Sequence, residues 1–169
     1  MRIFLDANIL FTAAHKPTGN AASIIQYGTA KDSLSFYACD LALEQAKRNL
    51  ISKHSTGLLE LEKLLDKIEI TATGHHFPCP IDLDEEDRII FATAIHFQAT
   101  HFLTGDIKDF GPYLNQPEKS AGILIQTVRE FINRYREDLP FLNELRETRR
   151  KYKASLRQVV GANVKKGRS

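Results

Sequence analysis

Short apolar runs recur along this chain, separated by longer segments of helical periodicity, and that alternation constrains the fold more than any other feature. The runs are Arg2–Leu5, Ser35–Ala38, Ile68–Ala72, His101–Leu103 and Ile123–Ile125. Between them, Asn20–Tyr27 reads as a helix with Ala21, Ile24 and Ile25 on one face. Asp40 is placed to cap a helix running to about Lys53, whose apolar stripe is Leu43, Ala46, Leu50 and Ile51. Ser55 precedes a third helix, Leu58–Leu65, and Asp84 a fourth that ends near Gln98. One helix starts at Thr127 and another lies past Pro140. The stretch "TGHHFPCP", with Gly74, Pro78 and Pro80, breaks periodicity and reads as a loop. Strands that alternate with helices predict an α/β fold with a parallel sheet.

At 169 residues, 43% hydrophobic and 26% charged, the chain is long enough for one domain with its own core. This composition excludes a chain disordered throughout, a collagen and a disulfide scaffold. Cys39 and Cys79 form no zinc pattern. The longest apolar run, Ile89–Phe97, is too short to cross a membrane and carries Thr93 and His96. The N-terminal run reads as a strand rather than a secretion signal, so a soluble cytoplasmic protein without a membrane partner is expected. Charge is unevenly spread. Residues 149–169 hold eight basic residues and no acid, which leaves 15 basic and 21 acidic residues, a net of −6, in residues 1–148. A basic tail on an acidic body suits a polyanionic partner, although a solvated chain end would look the same.

Acids fall where such a fold builds its sites. Active sites of parallel α/β sheets gather beyond the carboxyl ends of the strands. Asp6 closes the first strand, Asp106 closes the fourth after Thr104 and Gly105, and Asp109 follows three residues on. Glu44 and Asp87 lie in the first turns of helices that begin at the same edge. Each has an ordinary reading taken alone. Asp6 with Asn8 suits a local turn, Asp87 complements a helix dipole, Glu44 pairs with Arg48, and Asp106 and Asp109 cap a short segment before Gly111. Their joint placement is harder to explain that way. Several carboxylates within a few ångströms cannot all stay ionised without a counter-charge, and Mg²⁺ or Mn²⁺, which prefer oxygen ligands, would supply it. A water on such an ion is acidic enough to attack a phosphodiester. The chain lacks a phosphate-binding glycine loop, a G-x-S-x-G elbow and an H-E-x-x-H pair.

With these residues in place, the sequence resembles the PIN-domain family of nucleases. The resemblance rests on "IFLDANIL" (3–10), on Glu44 in a helix after the second strand, and on "EEDRIIFATAIHFQATHFLTGDIKDF" (85–110), and it spans about residues 1–128. It implies a three-layer α/β/α sandwich around a mostly parallel five-stranded sheet, here followed by a helical, basic extension over 129–169. It implies that Asp6, Glu44, Asp87 and Asp106 hold Mg²⁺ or Mn²⁺, that Asp109 is an auxiliary acid, and that Asn8 orients a ligand or the substrate. It implies cleavage of RNA, and many small prokaryotic members are homodimeric toxins of toxin–antitoxin pairs. Arg88 departs from the family, which often has a small residue after this acid, and the extension is longer than in minimal members.

Other chemistry is less well supported. His75, His76 and Cys79 match no common zinc set. Arg146, Arg149, Arg150 and Lys153 lie on neighbouring turns and suit phosphate contacts. Phe131, Tyr135, Phe141, Leu142, Leu145 and Tyr152 read as packing residues rather than a base-stacking platform. The rival functions are a non-catalytic module of the same fold that binds RNA or assembles in a complex, and an aspartyl-nucleophile phosphatase. The phosphatase wants a second Asp two residues after the first, where this chain has Asn8.

Overall fold

Ile3, Phe4 and Leu5 are fully buried, as a strand covered on both faces requires. In a computed structural model that describes residues 1–30, 34–143, 147 and 150 (side chains of 29 and 30 excepted), they form the central strand β1, Arg2–Leu5. The remaining strands are β2, Ser35–Cys39; β3, Ile68–Thr71; β4, His101–Leu103; and β5, Leu124–Gln126. They make one five-stranded sheet in the order β3-β2-β1-β4-β5. Every neighbouring pair is parallel, and β1 sets Ile3 opposite Phe36 of β2 and His101 of β4.

The helices are α1, Ala7–His15; α2, Asn20–Ala30; α3, Asp40–Lys53; α4, Gly57–Leu65; α5, Glu85–His96; α6, Ile107–Phe110; and α7, Val128–Tyr135. The path β1→β2→β3 moves one way across the sheet and β4→β5 moves the other, so right-handed crossovers place the two sets of connecting helices on opposite faces. Helices α1 to α4 pack on one another. On the other face Phe91 of α5 stands edge-on to Phe102 of β4 at 5.2 Å, and Phe110 of α6 lies 5.1 Å from the same ring. This is the expected three-layer α/β/α arrangement. The reversal of direction falls between β1 and β4 and opens a crevice at their carboxyl ends.

Boundaries shift by a residue or two from those read in the sequence. β2 runs on to Cys39, β3 stops at Thr71, and β5 starts at Leu124. Two assigned caps change. Helix α3 begins at Asp40 itself, and α4 is preceded by Thr56 rather than Ser55, without a side-chain cap bond. Helix α1 is an element to which the sequence reading assigned no helix, and Asp6 is its cap. Thr127 and Glu130 form a reciprocal capping box at α7: Glu130 N–H donates to Thr127 Oγ1 at 3.2 Å, and Thr127 N–H donates to Glu130 Oε2 at 2.9 Å.

The chain divides into two units, Met1–Asn133 with the sheet and Arg134–Ser169. In the second, Asn143 Nδ2 donates to the Arg136 carbonyl at 3.2 Å, and residues 140–143 begin a helical stretch led by Pro140, a residue suited to a first helical turn. No helix among the described residues is long and apolar enough to cross a membrane.

Candidate active site

Asp6 leaves β1 and turns the chain into α1, and the residue is only 2% exposed. Three donors hold it. Ala7 N–H reaches Oδ1 at 2.7 Å, while Asn8 Nδ2 at 2.5 Å and Thr104 Oγ1 at 2.6 Å both reach Oδ2. Burial still pushes the Asp6 carboxyl above its ordinary range, and the nearby charge of Asp106 adds to this.

The hydroxyl of Thr104 ties the two strand ends together. Besides donating to Asp6 it accepts from Asp106 N–H at 3.0 Å and from Asn8 Nδ2 at 3.2 Å. Asn8 closes the loop from the other side, its Oδ1 accepting from Gly105 N–H at 2.6 Å. A Cβ at position 105 would lie 3.1 Å from that oxygen, so the tight turn favours glycine. The three residues Thr104, Gly105 and Asp106 thus hang from β4 against the first turn of α1. Sequence reasoning gave Thr104 no role of its own, although its position between a buried strand and an acid was the available signal.

Asp106 caps α6. It accepts from Lys108 N–H at 2.9 Å and Asp109 N–H at 3.1 Å, both through Oδ1. A carboxylate oxygen from each of Asp87, Asp106 and Asp109 lies within 4.8 Å of the others. Asp87 reaches this place from the first turn of α5. Its carboxyl is pushed up to about 7 by partial burial first, and then by the charges of Asp6, Asp106, Asp109 and Asp84. No donor is paired with it among the described hydrogen bonds. The acids crowded before α5 therefore separate by role. Asp84 precedes the helix without a cap bond, and Glu86 is drawn to α3, where Gln45 Nε2 donates to it and Arg48 lies 3.5 Å away.

Four of the five acids named from sequence thus act on one another. Glu44 sits on the exposed side of α3, outside the trio, and Arg48 pairs with Glu86 rather than with Glu44. Lys108, 83% exposed, places its ammonium 3.3 Å from Asp109 Oδ1; the sequence reading passed over it. Arg150 is exposed, while Arg146, Arg149 and Lys153, with Leu145 and Tyr152, lie outside the described residues.

The trio fits a hard divalent cation. It offers carboxylate oxygens alone, and among the described residues its ion pair is that of Asp109 with the solvated Lys108, one positive charge against three carboxylates.

No protein-family profile matches the chain. No curated protein matches it either. A solved structure does: a chain of "VapBC2 from Rickettsia felis bound to a DNA fragment from their promoter" aligns with 75% of this chain and 98% of its own length, at 14% identity and a TM-score of 0.53. That likeness is one of fold.

Proposed function

We propose that the protein is a Mg²⁺- or Mn²⁺-dependent endoribonuclease of the PIN type. The observation that carries this reading is Asp87. A carboxyl raised to about 7 by its burial first and then by its acidic neighbours suits a site that a cation would complete, and it lies at the switch point of a parallel sheet. Asp87 and Asp106 would hold the cation, with Asp109 as the auxiliary acid. Asp6 and Glu44 belong to the proposed ligand set as well, Asp6 through its charge on Asp87 and Asp106, and Glu44 by the family resemblance.

When bound, the cation would neutralise charge on the scissile phosphate and make a coordinated water more acidic. The protein's own contribution is fixed geometry. Thr104 and Asn8 hold Asp6 and the Gly105–Asp106 turn in place before any ligand arrives, so little reorganisation is needed at the moment of reaction. The basic extension would draw RNA towards a cleft that otherwise repels it. The nuclease domain would span 1–128 and the extension 129–169. In this reading the protein is a toxin that works with an antitoxin partner, as a homodimer in the cytoplasm; the likeness to a chain of VapBC2 supports a toxin–antitoxin role at the level of fold alone.

The test is cleavage of mixed-sequence single-stranded RNA, with single-stranded DNA alongside, by the full chain in Mn²⁺ and in EDTA. Cleavage of RNA in Mn²⁺, lost in EDTA and reduced at least about a hundredfold in Asp87→Asn, is expected. Equal cleavage with and without chelator would sink the assignment, as would an Asp87→Asn variant as active as the parent.

A further inference from the structure

Lys108 stands between two acids of the candidate site in sequence and extends into solvent, yet its ammonium returns to Asp109 at 3.3 Å. Stability does not account for it. An ion pair with one partner 83% exposed contributes little, because water screens the attraction and the long side chain loses freedom. What the contact does achieve is electrostatic. Asp87, Asp106 and Asp109 bring carboxylate oxygens within 4.8 Å of one another, and Lys108 is the basic side chain paired with that group among the described residues. Its stem is flexible and its head hydrated, so it can leave when a better cation arrives.

We propose that Lys108 is a tethered counter-ion that yields its place to the divalent cation and then binds a phosphate of the nucleic-acid strand. This rests on the nuclease reading and extends it by assigning a substrate-positioning residue. Two opposed consequences follow from one charge. With the site empty of metal, the ammonium competes for the acids, so its presence weakens metal binding. With metal bound, the same ammonium is released beside a surface that is otherwise acidic, and an anionic backbone is the nearest chemistry it can pair with. A lysine with only a structural role would alter neither affinity.

The experiment uses the full chain and the Lys108→Ala and Lys108→Arg variants. Mn²⁺ binding is measured by titration calorimetry, and binding of a fluorescent, cleavage-resistant 2′-O-methyl oligonucleotide of mixed sequence by anisotropy in saturating Mn²⁺. In Lys108→Ala, Mn²⁺ should bind roughly three- to tenfold tighter, as removal of one nearby unit charge implies, while the oligonucleotide should bind roughly three- to tenfold more weakly. Lys108→Arg should return both values towards the parent. If the parent binds no Mn²⁺, the nuclease reading fails and this inference fails with it. If the parent binds Mn²⁺ and Lys108→Ala binds it no tighter, or holds the oligonucleotide equally well, the role of Lys108 alone is overturned.

Discussion

Asp40 and Asp87 both occupy first helical turns at the carboxyl edge of the same sheet, and their surroundings drive them in opposite directions. Asp40, where β2 passes into α3, accepts from Leu41 N–H at 2.8 Å, from Thr73 N–H at 3.0 Å and from the Thr73 hydroxyl. Those donors hold its carboxyl below the ordinary range. Asp87 is half-buried with acids for neighbours, and burial first and their charges second push it up to about 7. Residue type and topological position are nearly the same; what differs is burial first, Asp40 being exposed and Asp87 half-buried, and then the neighbours, which are donors around Asp40 and acids around Asp87. Asp40 fastens the end of β2 to the exit of β3 and leaves no charge unanswered. The crevice between β1 and β4 gives its donors to Asp6 and Asp106 and leaves Asp87 without one.

The largest expected difference between these regions is in catalysis. Asp106→Asn should lower Mn²⁺-dependent RNA cleavage by about a hundredfold or more, whereas Asp40→Asn should leave it within about twofold. Gel assays on the two purified variants, with circular dichroism as a check on folding, would settle the contrast. Equal losses would mean that the switch-point crevice is no more functional than the edge of β2 and β3.

Metal should separate the regions next. At neutral pH, Mn²⁺ at a hundredfold excess over its Kd would stabilise the fold by about 2.7 kcal/mol, a rise of about 5–10 °C in melting temperature for a chain of this size. At pH 5.5 Asp87 is mostly protonated, protons compete with the ion, and the rise should shrink. Asp87→Asn should blunt the response while Asp40→Asn keeps it. A parent protein whose melting ignores millimolar Mn²⁺ would leave the acidic trio without its partner.

Much of this was legible in the chain. The five apolar runs found their strands, because buried parallel strands are short and nearly continuous in apolar residues. Asp6 and Asp106 stood out in the sequence because each ends a strand at the same sheet edge, and in the structure Thr104 ties the two together. Helix α1 was not found. Its cap is the same Asp6 that invites a chemical reading, and one side chain performs both tasks. The order among Asp84, Glu85, Glu86 and Asp87 was also beyond the sequence. It depends on Gln45 and Arg48, forty residues away, drawing Glu86 towards α3. Thr104 is the clearest gap, because a hydroxyl gains meaning only when three partners from two strand ends surround it.

The smallest effect concerns stability without metal, and there the two aspartates should give slopes of opposite sign. Asp87 has a folded pKa of about 7 against an unfolded value of 3.8, so its contribution is fully present below 3.8 and is lost as pH rises through 7. Asp87→Asn removes that titration. The metal-free variant should melt a few degrees above the parent at pH 7.5, on the order of 1–2 kcal/mol once screening of a half-exposed group is allowed for, and the advantage should fade towards pH 4. Asp40 has a lowered pKa, so its stabilisation is present above 3.8 and is lost as pH falls through the folded value. Asp40→Asn should lower the melting temperature slightly at pH 7.5, because a neutral amide oxygen accepts from Leu41 and Thr73 more weakly than a carboxylate and the site is largely exposed, and the deficit should narrow in acid. Melting curves of the three metal-free proteins between pH 4 and 8 measure both slopes. If Asp87→Asn destabilises at pH 7.5 as Asp40→Asn does, then Asp87 is a paired structural acid, and the contrast between the two ends of the sheet does not exist.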